Sequence, residues 1–172
     1  RQGDRLDGII TERDMVRYVA ECVAPATPVG RLMSTPVVTA PASLDMRAAY
    51  ELLAVHQVRH LVAVGATGEI LGVVSETDFR TPLGMEVFRS SRDLASVMDV
   101  SPLSRSPDAS LAEVLGAMCE MRADYALAVT ENRAIGILTE RDVPSLLADG
   151  ADIAGLHLAD VMSAPVQSVA IG

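Results

Sequence analysis

Short apolar runs, each followed by a hydroxyl residue and then by helical spacing, set the organisation of the chain. At its start the sequence reads Gly8-Ile9-Ile10-Thr11-Glu12-Arg13-Asp14-Met15. This predicts a strand centred on Ile9-Ile10 and a helix from about Glu12 through Val19, ended by Pro25 and Pro28. The same order returns in Gly72-Val73-Val74-Ser75-Glu76-Thr77-Asp78-Phe79 and in Gly136-Ile137-Leu138-Thr139-Glu140-Arg141-Asp142-Val143. Successive glycines are 64 residues apart (72 − 8 and 136 − 72). A fixed period of this kind marks a repeat protein.

Between these landmarks the pattern is regular. Val29 to Met33 reads as a short helical turn, and Val37-Val38-Thr39 as an extended piece stopped by the breaker Pro41. Ser43 is the expected N-cap of a helix to about His56, with Leu44, Ala48, Leu52 and Val55 on one face. His60 to Val64 and Ile70 to Ser75 read as strands around a glycine-bearing turn, Gly65 to Glu69. The helix after Ser75 meets Pro82 and Gly84 early. The order then restarts, with a turn at Leu94 to Met98 and an extended Leu103-Ser104. A helix over Ser110 to Met121 has Leu111, Val114, Leu115 and Met118 on one face. Strands at Tyr125 to Val129 and Ala134 to Leu138 flank a turn at Glu131-Asn132-Arg133, and the Ile135–Leu138 run leads into a helix beginning at Thr139. A last restart is Leu158 to Met162 with Pro165 to Val169 extended; Met33, Met98 and Met162 hold one place in the period.

The expected division is therefore 1–28, the C-terminal half of a repeat; 29–90 and 91–149, two whole repeats; and 150–172, the start of another. This phase implies a longer parent chain. The expected class is α/β, each repeat running extended segment–helix–strand–strand–helix. A unit of this size cannot bury both faces of its sheet alone, so two are expected to pack together.

Composition narrows the partners. A net charge of −9 argues against the basic footprint of a nucleic-acid or anionic-membrane binder. No apolar run reaches the ~18–20 residues that span a bilayer, and Arg1 to Asp7 lacks the apolar block of a secretory signal. Cys22 and Cys119 stand at unrelated repeat positions, with no disulfide frame, so a reducing cytoplasm is the expected compartment. Cys119, amid Met118, Glu120 and Met121, reads as a buried inert thiol. His56 reads as a surface or capping residue, His60 as a packing residue and His157 as a solvated linker residue. No metal-spaced cluster, no serine with a recognisable base and no phosphate-binding G-x-x-x-x-G-K-[ST] loop is present, so no enzyme activity is expected.

The ordered set Met33-Ser34-Thr35-Pro36-Val37-Val38-Thr39, a helix from Ser43, Val58 to Val64, and Gly72 to Asp78 resembles a CBS domain (cystathionine-β-synthase repeat), and Asp99 to Val143 resembles a second. The resemblance covers essentially the whole chain. It implies a paired Bateman module that binds an adenosine-containing ligand, AMP, ADP or ATP, between repeats. Such a module regulates an attached signalling, transport or metabolic domain, GGDEF-type among them, and often dimerises. By the same resemblance Asp78 and Asp142 are ribose-binding acids, with Asp14 at the same place in the partial repeat. The hydroxyls of Ser75, Thr139 and Thr11 would contact phosphate or ribose. Pro36 with Val37, and Ser101 with Pro102, fall on the segment that faces adenine; Val58 and Arg59 supply a pocket wall and a phosphate contact.

The chemistry is coherent. A carboxylate can accept from both hydroxyls of a ribose, a helix start offers N–H donors to an anion, and Arg13, Arg59 and Arg141 could offset phosphate charge. Each hydroxyl–acid pair equally fits a helix capping box. Thr77 stands where positions 13 and 141 carry arginine, Asp124 stands where Arg59 does, and Tyr125 replaces His60, with a ring that could stack on adenine or fill space. Two sites of unequal quality are expected. The alternative is a structural dimerisation platform with degenerate sites.

Overall fold

The computed structural model describes residues 6–79 and 98–168. In chain order they form α1 (Glu12–Ala20), α2 (Val29–Leu32), β1 (Thr39–Pro41), α3 (Met46–His56), β2 (His60–Val64), β3 (Ile70–Ser75) and a 3₁₀ turn (Glu76–Phe79). Then come β4 (Ser104–Arg105), α4 (Leu111–Met121), β5 (Tyr125–Thr130), β6 (Arg133–Thr139), α5 (Asp142–Ala148), a 3₁₀ turn (Ile153–Gly155) and α6 (Leu158–Val161). Two compact units result: 6–9 with 33–79, and 10–32 with 98–168.

Both units use one plan. A parallel pair needs a crossover, and the helix supplies it: α3 between β1 and β2, α4 between β4 and β5. The middle strand then returns antiparallel, β2 with β3 and β5 with β6. The register slips at the same place in both hairpins, Ala63/Val64 and Ala128/Val129. The second hairpin turns through Glu131 and Asn132, both at positive φ (49° and 62°), the backbone that suits right-twisted strands. α3 and α4 end alike, on Gln57 (φ 53°) and Arg122 (φ 52°), where the next residue's N–H reaches back to Leu53 and Met118.

In the first unit the core joins Leu53 of α3 and Phe79 to Ala40 and Leu61 of the sheet. In the second, Leu111, Val114, Leu115 and Met118 of α4 meet Ala126, Ala128 and Leu138, all at 0–1% exposure. Burying a leucine fully contributes about 1.5–3 kcal/mol. Val16 of α1 and Val143 of α5 close this core, so the helix of the N-terminal half-repeat is part of the second unit.

Two bridges repeat as well. Ile9 and Ser34 exchange N–H···O bonds at 3.1 and 2.8 Å; Ile137 and Ser163 do so at 3.0 and 2.8 Å. A Cβ on Gly8 or Gly136 would collide with the side chain of Met33 or Met162, so the close approach at each requires glycine.

Several expectations are corrected. Asp45, not Ser43, caps α3, its carboxylate accepting from the N–H of Arg47 at 2.9 Å. Pro41 ends β1 from inside the strand. Val55 is 75% exposed; the buried face is Ala49, Leu52 and Leu53 with Leu44. Ile9-Ile10 makes a single bridge rather than a strand. His157 is solvent-exposed as expected and is also the N-cap of α6, its N–H donating to Asp160 Oδ2 at 2.8 Å. The piece after Met162 is irregular through Ser168. The expected break at Pro82 and Gly84, and positions 94–97 of the expected turn, fall outside the described residues.

Candidate functional site

Three carboxylates meet the backbone in one way. Asp142 Oδ2 accepts from Thr139 N–H at 2.7 Å and Oγ1–H at 2.8 Å. Asp78 Oδ2 accepts from Ser75 N–H at 2.8 Å and Oγ–H at 2.7 Å. Asp14 Oδ2 accepts from Thr11 N–H at 2.8 Å and Oγ1–H at 2.9 Å. A hydroxyl has one proton, and here each gives it to its own acid. Ser75, Thr139 and Thr11 therefore offer a ligand lone pairs alone, which suits a sugar hydroxyl and not a phosphate oxygen.

The second oxygen separates the copies. Oδ1 of Asp78 and of Asp142 accepts from none of the described residues, whereas Asp14 Oδ1 is held by Arg17 Nη2 at 3.2 Å. Asp14 is also buried, at 7% exposure. Its carboxylate is thus occupied within the fold, and the place it shares with Asp78 and Asp142 is not open in the same way. The bonds from Ser75, backbone first and side chain second, hold the Asp78 carboxyl below its ordinary range.

The helix starts differ from the sequence expectation. Only α1 begins on its hydroxyl, with Thr11 as N-cap. After Ser75 comes a 3₁₀ turn, and after Thr139 a turn of two residues before α5 opens at Asp142. The seven-residue α5 thus starts three residues later than expected.

Strand pairing gathers the remaining candidates. In the first unit His60 faces Ser75 across the β2–β3 pair, and the Arg59 carbonyl accepts the Glu76 N–H at 2.9 Å. Val58 is half-buried against the core, and Val38, next to Pro36-Val37, accepts the Val62 N–H at 3.1 Å. In the second unit Tyr125 faces Thr139, and the Asp124 carbonyl accepts the Glu140 N–H at 3.0 Å. Leu103, beside Ser101-Pro102, accepts the Leu127 N–H at 2.8 Å. The Tyr125 hydroxyl donates to Asp99 Oδ2 at 3.1 Å. Partial burial first, then this bond and the charges of Asp99 and Asp124, push the Tyr125 phenol above its ordinary range.

One cluster carried no local sequence signal. Arg13 Nε donates to Glu140 Oε1 at 3.0 Å, and its Nη2 donates to Asp124. The Glu140 side chain is 5% exposed, so Arg13 balances a buried charge. Burial works against the Arg13 charge, but the bonds and charges of Glu140 and Asp124 outweigh it and raise its pKa. Arg13 is therefore engaged by two carboxylates of the same unit. Arg141 is exposed and bonds to none of the described residues. Among the described residues no group of three or more His, Cys, Asp or Glu could hold a metal, and no helix is long and apolar enough to cross a membrane.

A pair of β-α-β-β units, each with a hydroxyl-tethered acid at the end of its last strand, defines a tandem-repeat module. Residues 29–83 match the CBS domain, and the second unit has the same strand order and pairing as the first. Protein MJ1225 from Methanocaldococcus jannaschii, described as a candidate archaeal homologue of γ-AMPK, superposes with a TM-score of 0.82 at 19% identity, covering 97% of this chain and 69% of that one. A conserved protein from Pyrococcus horikoshii gives a TM-score of 0.60 at 17% identity, covering 96% and 67%. Weaker is the CBS domain pair of protein MJ0100 in complex with 5′-methylthioadenosine and S-adenosyl-L-methionine, at 22% identity, 73% and 99% coverage and a TM-score of 0.35. In sequence, the homoserine O-acetyltransferase of Methanocorpusculum labreanum is 30% identical over 138 residues. That match takes in 77% of this chain but spans only about a quarter (27%) of the enzyme.

Proposed function

We propose that the chain is a ligand-sensing regulatory module that binds an adenosine-containing compound of the AMP, ADP or ATP type at Asp78 and at Asp142. It does so without a catalytic step and controls an attached domain of the parent protein. The observation that carries this reading is the hydroxyl-tethered acid repeated at Asp78 and Asp142 with one carboxylate oxygen left open. An open oxygen beside hydroxyl lone pairs is an acceptor set for the vicinal diol of a ribose. Val58 and Pro36-Val37 in one unit, and Tyr125 with Ser101-Pro102 in the other, supply apolar or aromatic surface for a base. The ligand acts on the output through different affinities for two arrangements of the protein. Cytoplasmic location and a homodimer belong to the same proposal.

Thermal denaturation tests it. An adenine nucleotide at ~100 Kd stabilises the protein by about 2.7 kcal/mol per site. Asp78→Ala and Asp142→Ala each remove part of that gain, read against each variant's own ligand-free melt. If both variants keep the full gain, the assignment of the sites is wrong.

A second reading, a dimerisation platform, is favoured by Leu71 and Val73 of β3, which are 58% and 56% exposed. Such an apolar strand surface fits an interface. Sedimentation analysis showing a dimer, with no ligand response in the melt, would replace the sensor with this reading.

A further inference from the structure

The second whole repeat restarts one residue longer than its counterparts. Met33-Ser34-Thr35-Pro36 and Met162-Ser163-Ala164-Pro165 put proline three places after methionine, whereas Met98-Asp99-Val100-Ser101-Pro102 puts it four places after. Ser34 and Ser163 are fixed by paired backbone bonds to a strand residue. Asp99, which holds their place, is fixed through its side chain. Its Oδ1 accepts the Ser101 N–H at 2.9 Å, and its Oδ2 accepts the Tyr125 hydroxyl proton at 3.1 Å. One carboxylate thus closes the turn that takes up the extra residue and ties that turn to the first residue of β5. Val100 inside the turn is 77% exposed, so burial does not hold it in place.

Both ends of this tie lie at the candidate site. Tyr125 stands opposite Thr139, which gives its N–H and hydroxyl proton to Asp142. On the far side of the turn Leu103 is 3% exposed and accepts the Leu127 N–H at 2.8 Å. The Pro102 carbonyl between these anchors accepts the Ser104 hydroxyl proton at 3.1 Å. Ser101 and Pro102 are therefore set against the end of the sheet that carries Asp142. The first whole repeat has Ser34 and His60 at the corresponding places, so a carboxylate–phenol bond has no counterpart there.

We propose that Asp99 is the positioning residue of the Asp142 site: without touching the ligand, it straps Ser101-Pro102 to Tyr125 and so holds ready the wall that meets the base. The proposal rests on the reading above that Asp142 accepts a ribose and that this wall faces the base. A wall fixed before binding spares the ligand the cost of ordering it.

Calorimetry with AMP on an Asp78→Ala background isolates the second site. Asp99→Ala and Asp99→Asn remove the same charge, but asparagine keeps an oxygen for the Ser101 N–H and offers an N–H to the Tyr125 oxygen. From the net worth of a hydrogen bond, AMP should bind the alanine variant about threefold to tenfold more weakly than the asparagine variant. Tyr125→Phe keeps the ring and loses the strap, so it should also weaken AMP and add nothing to Asp99→Ala. Amide exchange at Ser101, followed by NMR without ligand, should speed up in Asp99→Ala and Tyr125→Phe and not in Asp99→Asn. Unchanged exchange at Ser101 in Tyr125→Phe overturns the proposal. So does equal AMP affinity in the alanine and asparagine variants, even where the alanine variant melts lower, because Asp99 is then structural only. If the Asp78→Ala protein binds no AMP while the unsubstituted protein does, the reading of Asp142 fails and the positioning role goes with it; the exchange measurement, which needs no ligand, tells that failure from a missing strap.

Discussion

Replacing Arg13 with alanine removes the partner of a buried carboxylate, and the cost can be worked from the geometry. Removing one member of a buried ion pair typically costs about 3–5 kcal/mol. Here Glu140 is 5% exposed but Arg13 is 40% and Asp124 51% exposed, so water reaches one side of the cluster. Glu140 also keeps other interactions. Solvent screening brings the expected loss down to about 1–2 kcal/mol. For a unit of this size that lowers Tm by about 5–10 °C. The assay is a double-mutant cycle in urea or by thermal melt, with Arg13→Ala, Glu140→Gln and the pair. Glu140→Gln removes the charge that needs a partner, so Arg13→Ala should cost much less in that background, giving a coupling of about 1 kcal/mol. Arg13→Lys should recover part of the loss, since a lysine restores charge but not two-point geometry. If Arg13→Ala changes stability by less than a few tenths of a kcal/mol, or the cycle is additive, the cluster has no structural role.

Three further expectations concern the rest of the fold. Leu115→Ala should cost about 2–5 kcal/mol in denaturant titration, whereas Val55→Ala, at a 75% exposed position of the other crossover helix, should stay within about 0.5 kcal/mol; equal losses would misplace the cores. Gly136→Ala forces a Cβ onto Met162 and should cost about 1–3 kcal/mol, partly recovered by Met162→Ala; a neutral Gly136→Ala would show that the bridge is loose. Asp78 is depressed in the folded state, so its contribution to stability is present above its unfolded pKa and is lost as pH falls through the lower folded one. In a carboxyl NMR titration its midpoint should therefore lie below 3.8 and rise toward that value in Ser75→Ala. A midpoint at or above 3.8 in the unsubstituted protein would mean the tether from Ser75 is not made.

Much of this fold was legible because the sequence states each part twice. The strands His60–Val64 and Ile70–Ser75 match their expected bounds, since glycine, a glycine-bearing turn and β-branched runs all agree there. The face Leu111–Val114–Leu115–Met118 is buried as spaced. Its counterpart was misjudged because Leu52 and Leu53 are adjacent, and helical periodicity cannot say which of two neighbouring apolar residues faces a sheet. Ser43 and Asp45 are both good caps; the helix register selects the second. Of the site, the acid and its hydroxyl were visible as a local i, i+3 pattern. Which acids keep an open oxygen was not, because Arg17 reaches Asp14 by a side-chain rotamer rather than by spacing. The engagement of Arg13 was least accessible, joining residues 127 positions apart with no motif between them.

The central claim is that Asp78 and Asp142 each accept a sugar diol. Isothermal titration of adenosine into the unsubstituted protein, the two single alanine variants and the double variant tests it most directly. The account predicts two equivalents of adenosine in the first case, one in each single variant and no heat in the double, with all four proteins folded. Undiminished binding by the double variant, or silence from the unsubstituted protein, contradicts it.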